Sequence, residues 1–219
     1  MQRHFDEELT LLKKNILEMG DLVESMVGDV IKALVERNTA LLQSIREKEN
    51  TVNRMQIDID EYCLKLVALR QPAAIDLRFL MGVLKINTEL ERVGDHAVNI
   101  GNLISRILEY PPLKPYVDLP RMVDIACAMF RESLRTFVDL DADRARTILK
   151  RDDEVDDLRD KIVEELAGFM CGNPSIVKIA LQLILLANNL EKIADHATNI
   201  AEIVVFVAQG KDIRHPELQ

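Results

Sequence analysis

No tryptophan occurs in the 219-residue sequence, and the aromatic residues amount to three tyrosines and six phenylalanines. β-Sandwiches and barrels draw on aromatic and β-branched residues for their strands and on frequent Gly and Pro for their turns. Eight glycines and seven prolines are too few for that architecture. Cysteine is also scarce: Cys63, Cys127 and Cys171 form an odd, widely spaced set. That spacing suits neither a disulfide framework nor a zinc site, so each is expected to be a small core residue in a reducing cytoplasm. Positive charge is outnumbered, with 28 Lys+Arg against 37 Asp+Glu and a net charge of −9. Nucleic acid and anionic membrane surfaces select basic patches, so neither is an expected partner; cations or basic proteins suit the balance better. Long hydrophobic runs are missing too. The N-terminal Met1-Gln-Arg-His-Phe-Asp-Glu-Glu has no apolar signal core, and the most apolar stretch, Ile176 to Leu190, is cut by Lys178, Gln182, Asn188 and Asn189. A cytoplasmic protein with no membrane insertion is expected.

What the chain does have is aliphatic residues in helical register, with 48% of the sequence hydrophobic. Leu9, Leu12, Ile16, Met19, Val23, Met26, Val30 and Ala33 recur at alternating steps of three and four, the a/d seam of a helix packed in a bundle. A second seam runs Leu41, Ile45, Lys48, Val52, Met55, Ile59, Tyr62, Leu66, Leu69, with Lys48 its one polar break. A third runs Phe79, Val83, Ile86, Leu90, Val93, Ala97, Ile100, Ile104, Ile107. Asn38-Thr39 divides the first two helices, with Thr39 the expected N-cap, and Gln71-Pro72 divides the next two.

Pro111, Pro112, Pro115 and Pro120 crowd into ten residues, a density no helix survives, which places a linker over 111–118. Beyond it three more helices are expected: roughly 119–138, 141–170 and 174–208, with Gly172-Asn173-Pro174 and Gly210 as stops. The second half repeats the first. Glu91-Arg-Val-Gly-Asp95-His96-Ala97-Val-Asn99-Ile100 aligns without gaps onto Glu191-Lys-Ile-Ala-Asp195-His196-Ala197-Thr-Asn199-Ile200, six of ten residues being identical at an offset of 100. The same offset carries the third seam onto Ile179, Leu183, Leu186, Leu190, Ile193, Ala197, Ile200, Val204 and Val207, all apolar. The fold class is therefore all-α: two tandem three-helix bundles of six long helices, with repeats over 1–110 and 119–219.

The repeated decapeptide carries the one unusual polar feature. Glu91 and Asp95 stand one turn apart on one helix face, Asn87 and Asn99 extend the stripe, and Glu191, Asp195 and Asn199 repeat it. Like charges at this spacing repel, and a hard cation would reverse the sign of that interaction. The preceding helices supply further oxygens: Asp152 and Asp156 in the second repeat, and Glu49 and Asn53 in the first. Because Asn53 replaces a carboxylate, the first site is expected to bind metal more weakly. A solvated acidic face paired with Lys or Arg is the competing reading. His96 and His196 lie five residues after Glu91 and Glu191, about 140° round the helix, so a supporting or surface role is expected for them. No Glu-x-x-His pair joins the acidic stripes, no glycine-rich phosphate loop exists, and no Ser or Cys nucleophile signature is present. A metal-dependent oxidoreductase or metal-storage bundle is the alternative reading.

Taken together, these residues resemble the PhoU family of phosphate-signalling regulators. The resemblance rests on Glu91/Asp95 and Glu191/Asp195, the tandem bundles, Arg70-Gln71-Pro72 followed by Asp76-Leu77-Arg78, and Gly210-Lys211-Asp212-Ile213-Arg214-His215, and it covers essentially the whole chain. It implies a negative regulator of the phosphate-starvation response, not an enzyme. Such a protein links the phosphate ABC transporter and its ATPase to a sensor histidine kinase, as a cytoplasmic homodimer held at the inner face of the membrane through protein partners. It also implies iron, zinc, manganese or magnesium held by Glu91, Asp95, Glu191 and Asp195, joined by Asp152, Asp156, Glu49 and, with its departure from the acidic pattern, Asn53. Arg70, Gln71, Asp76 and Arg78 are candidates to face a partner, against the simpler reading of a proline hinge with local salt bridges.

Overall fold

The computed structural model describes residues 2–113 and 116–214, with side chains from Phe5 onward. Pro115, one of the four linker prolines, and His215 of the tail lie outside the described residues. Among those described, every regular element is helical: α1 (Gln2–Glu36), α2 (Ala40–Arg70), α3 (Ala74–Ile107), α4 (Asp118–Asp139), α5 (Ala142–Leu149), α6 (Asp152–Gly172) and α7 (Val177–Gln209), with one 3₁₀ turn at Pro174–Ile176. The six-helix plan holds with one change. The expected helix over 141–170 is divided at Lys150-Arg151 into α5 and α6. Asp141 caps α5 by accepting from the Arg144 N–H at 3.0 Å. Asp152, Asp153 and Glu154 open α6, where the partial positive charge of a helix start favours carboxylates.

The chain stops are local. Gln71 adopts φ 46°, and its N–H donates to the Val67 carbonyl at 3.2 Å, closing α2 before Pro72. Gly210, at φ 69°, closes α7 through its N–H to the Phe206 carbonyl at 2.8 Å. Thr39 does not act as the expected cap. Its own backbone is already helical, and Asn38 Oδ1 accepts instead from the Ala40 N–H at 3.0 Å. Asn173 Oδ1 accepts from the Ser175 N–H and hydroxyl, starting the turn that leads into α7.

Helices α1–α3 pack as one bundle and α4–α7 as the second, while α3 lies along α7 and α1 along α4, so one hydrophobic core runs through both. All nine positions of the α3 seam and all nine of its copy in α7 are buried. The α2 seam fails at its last position: Leu66 is buried with Cys63 beside it, but Leu69 is 66% exposed. A strict seven-residue repeat drifts by roughly 20° per heptad on a straight helix. Leu69 stands four heptads from Leu41, so that drift carries it off the core. Helix α3 tolerates the same drift because α1, α2 and α7 surround it. Gly82 sits at the α3–α7 approach, where a Cβ would fall 2.4 Å from Val207 Cγ2. Cys63 and Cys127 are buried as expected, and burial pushes both thiols up to about 12. Cys171 departs from expectation: it is exposed in the last turn of α6, where the helix runs past the core. No described helix is long and apolar enough to cross a membrane.

Candidate functional site

The second acidic stripe lies where α7 meets the start of α6. Glu191 and Asp195 project from α7, and Lys192 from the same helix reaches both, at 3.1 Å and 2.6 Å. Asp156 pairs with Arg159 at 3.5 Å. Asp152 is pushed up to about 6, first by burial and then by the negative charges of Asp195, Asp156, Glu191 and Asp153. Carboxylates from two helices thus act on one group, which places all four expected residues of this repeat in one electrostatic cluster.

In the first repeat α2 and α3 meet in the same way. Glu91 is raised by burial, then by Asp95, with Glu49 adding to the shift and Arg92 opposing it. The Oδ1 atom of Asn53 is buried and accepts no hydrogen bond. Such an acceptor costs on the order of 1–3 kcal/mol when nothing satisfies it. Arg92 stands where Lys192 stands in the other repeat, yet its guanidinium donates to Glu89 Oε1 at 3.3 Å.

Both stripes are built from oxygen donors alone, the chemistry of a hard cation, and the orphaned Asn53 oxygen suits the same ligand. As the side chains stand, no group of three His, Cys, Asp or Glu among the described residues converges closely enough to hold a metal ion. In the second repeat the ammonium of Lys192 already pairs with both Glu191 and Asp195.

Between the stripes lies a polar cluster that the sequence reading missed. Glu89 is buried at the α3–α7 contact; its Oε2 accepts from His196 Nδ1 at 2.6 Å and from Asn199 Nδ2 at 3.0 Å. Burial alone would raise its carboxyl, but the bonds from His196 and Asn199 outweigh that and hold it below the usual range. His96 Nδ1 donates to Asn189 Oδ1 at 2.9 Å, and the two imidazoles lie 5.3 Å apart. Burial, opposed by the Asn189 bond and aided by the charge of His196, lowers His96. His196 is buried and His96 half-buried. The signal was present in the repeat itself, because Glu89 and Asn189 are equivalent at the offset of 100, as are His96 and His196. Each repeat presents its histidine to the other repeat's residue. Asn199 therefore leaves the acidic stripe for Glu89. Asn87 is fully buried and donates to the Gln56 carbonyl and to Asp60 Oδ1, both at 2.8 Å.

The candidate partner-facing residues surround the α2–α3 turn. Arg70 forks onto Glu8 at 2.9 and 2.8 Å, and Gln71 forms the left-handed stop. Arg78 donates to the Val207 carbonyl at 3.4 Å and lies over Gly210, so its head serves the end of α7. Asp76 lines a hollow of 220 Å³ beside Lys13 and Phe79.

The family model described as the PhoU domain matches residues 16–104 and 119–204. A phosphate-specific transport system accessory protein PhoU homologue of Pseudomonas putida is 34% identical over 220 residues, covering 100% of this chain and 86% of the relative. The homologue of the same name from Aquifex aeolicus is 34% identical over 213 residues, covering 97% and 96%. The crystal structure of PhoU from Pseudomonas aeruginosa superposes with a TM-score of 0.90 at 34% identity, over 94% of this chain and 100% of that one. That of the phosphate transport system regulatory protein PhoU from Streptococcus pneumoniae gives 0.89 at 28% identity, over 95% and 99%. These relatives carry the names of accessory and regulatory proteins rather than of enzymes. The α3 and α7 motifs, their offset of 100 and the paired bundles all sit inside the matched segments, and the chain belongs to the PhoU family.

Proposed function

We propose that this chain is a cytoplasmic negative regulator of the phosphate-starvation response, an adaptor between the phosphate ABC transporter and a sensor histidine kinase. The observation that carries the reading is the likeness, over nearly the full length of both chains, to accessory and regulatory proteins of phosphate transport. An adaptor needs surface rather than a reaction centre, and the long two-helix faces α2–α3 and α6–α7 provide it. Deleting the gene should derepress phosphate-scavenging functions in phosphate-replete cells; an unchanged response overturns the reading.

A hard cation at each acidic stripe belongs to the same proposal. Glu191, Asp195, Asp152 and Asp156 would hold one, and Glu91, Asp95, Glu49 and Asn53 the other. The cation would neutralise clustered carboxylates and tie α2 to α3, or α6 to α7, fixing the shape of the face. Binding requires the side chains to draw inward and, in the second repeat, Lys192 to withdraw. Purified protein incubated with iron, zinc or manganese and then desalted should retain metal by elemental analysis. Glu191→Ala/Asp195→Ala should lose the share held by the second stripe. Protein that retains none sinks the metal part and leaves the regulatory part standing.

A further inference from the structure

Away from both acidic stripes, a cleft of 340 Å³ opens between α3, α7 and the tail after α7. Lys85 and Arg92 enter it from α3, Asn199 and Glu202 from α7, and Arg214 from the tail, with Glu89 at its floor. Three cations therefore share one hollow on a chain whose net charge is −9. Each keeps donors in reserve. Arg92 contributes a single 3.3 Å bond to Glu89, and Arg214 engages Asp212 through Nε and Nη2. Lys85 Nζ lies 5.0 Å from the centre of the Phe206 ring, which leaves its ammonium protons unspent. The carboxylate at the floor is already committed, since Glu89 accepts from His196, Asn199 and Arg92. Arg214 is paired with Asp212 and Glu202 also lines the hollow, so the formal charges balance; what the lining offers a ligand is the unspent N–H donors of Lys85, Arg92 and Arg214.

A cation meets three like charges there, and an apolar ligand finds charged groups on three sides. A small anion with several oxygens matches it. Guanidinium forks pair with planar or tetrahedral oxyanions through parallel N–H donors, and a lysine adds a point charge from a third direction. We propose that this cleft is a binding site for a phosphate-class oxyanion, either free orthophosphate or the terminal phosphate of a nucleotide. The equivalent position in the other repeat differs: Lys85 and Glu89 become Leu185 and Asn189, so the site occurs once per chain. Its cations come from α3 and from the tail while α7 adds Asn199 and Glu202, so an occupant would bridge α3, α7 and the segment that follows α7.

Isothermal titration of the full chain with inorganic phosphate, and separately with ATP, tests the assignment. EDTA is kept present so that no metal at the acidic stripes takes part. The expected result is saturable binding of one or both, weakening as salt rises, and about tenfold weaker in Lys85→Ala and again in Arg214→Ala. Both residues are exposed, and a thermal melt of each variant checks that the fold is intact. Lys178→Ala, at the opposite end of the α3–α7 contact, should leave the affinity unchanged. The tighter of the two ligands identifies the source of the phosphate. Absence of binding by either ligand overturns the proposal. So does binding retained in Lys85→Ala and Arg214→Ala, or binding seen only when metal replaces EDTA.

Discussion

Asp152 is held near 6 because burial and four neighbouring carboxylates oppose its ionisation, whereas in the unfolded chain it titrates near 3.8. Between those values the folded state binds the extra proton, so this group's contribution to stability falls as pH rises from about 4 to about 6. Asp152→Asn should therefore stabilise the metal-free protein at pH 7, and the gain should vanish below about pH 4. Its size should be about 1 kcal/mol, well under the face value of the shift, because the group is partly solvated and salt screens it. Urea denaturation of both proteins across this pH range measures the difference, and an equal gain at pH 3.5 would contradict the assignment. Cysteine gives a second readout at this scale. Iodoacetamide at pH 8 should modify Cys171 and spare Cys63 and Cys127, whose buried thiols titrate near 12; mass spectrometry of the native protein counts the adducts. The acidic residues were legible in the sequence because a carboxylate pair at four-residue spacing is a local pattern. Glu89 was not, since its partners His196 and Asn199 lie more than a hundred residues away and only the α3–α7 contact joins them.

Helices were legible wherever a seam stays on one side of its helix. The α3 and α7 seams run from end to end without an exposed position, whereas α2 loses Leu69 to the mismatch between heptad and helix. The break at Lys150-Arg151 escaped notice because the apolar spacing continues across it through Ile148 and Val155. Only the acidic run Asp152-Asp153-Glu154 marks a new helix start there. The close α3–α7 approach at Gly82 was equally invisible, because a glycine within a helical pattern reads simply as a weak position. Gly82→Ala should gain about 1 kcal/mol of helix propensity and lose more, since the new methyl meets a stiff β-branched Val207. A net loss of about 1–2 kcal/mol is expected from overpacking. A chemical denaturation midpoint at or above that of the parent would show that α7 yields freely. Gly28→Ala, with nothing within 4 Å of its new carbon, serves as the control and should be neutral or stabilising.

At the scale of the molecule, the two repeats share a core rather than merely touching. Val83, Leu90 and Ala97 of α3 and Leu183, Leu190 and Ala197 of α7 belong to one buried cluster, with the Glu89–His196 and His96–Asn189 bonds set within it. A single cooperative unfolding transition is expected, coincident by circular dichroism and by tyrosine fluorescence. A fragment ending at residue 112 should not fold alone, because it would expose the apolar α7-facing side of α3 and remove the donors His196 and Asn199 from Glu89. Dispersed, sharp amide resonances from that fragment would refute this.

The exchange of histidines between α3 and α7 has a consequence for dilution. A chain carrying one repeat would have to find the second by collision, and its α3 would stay bare at low concentration. Joined through about ten residues, the halves meet at an effective concentration in the millimolar range, set by the tether rather than by the number of molecules in the cell. A chain present in few copies then keeps its shape. The two crossings are also free to differ, so that one holds a carboxylate at Glu89 and the other an amide at Asn189. Two copies of a single gene product could never have drawn that distinction.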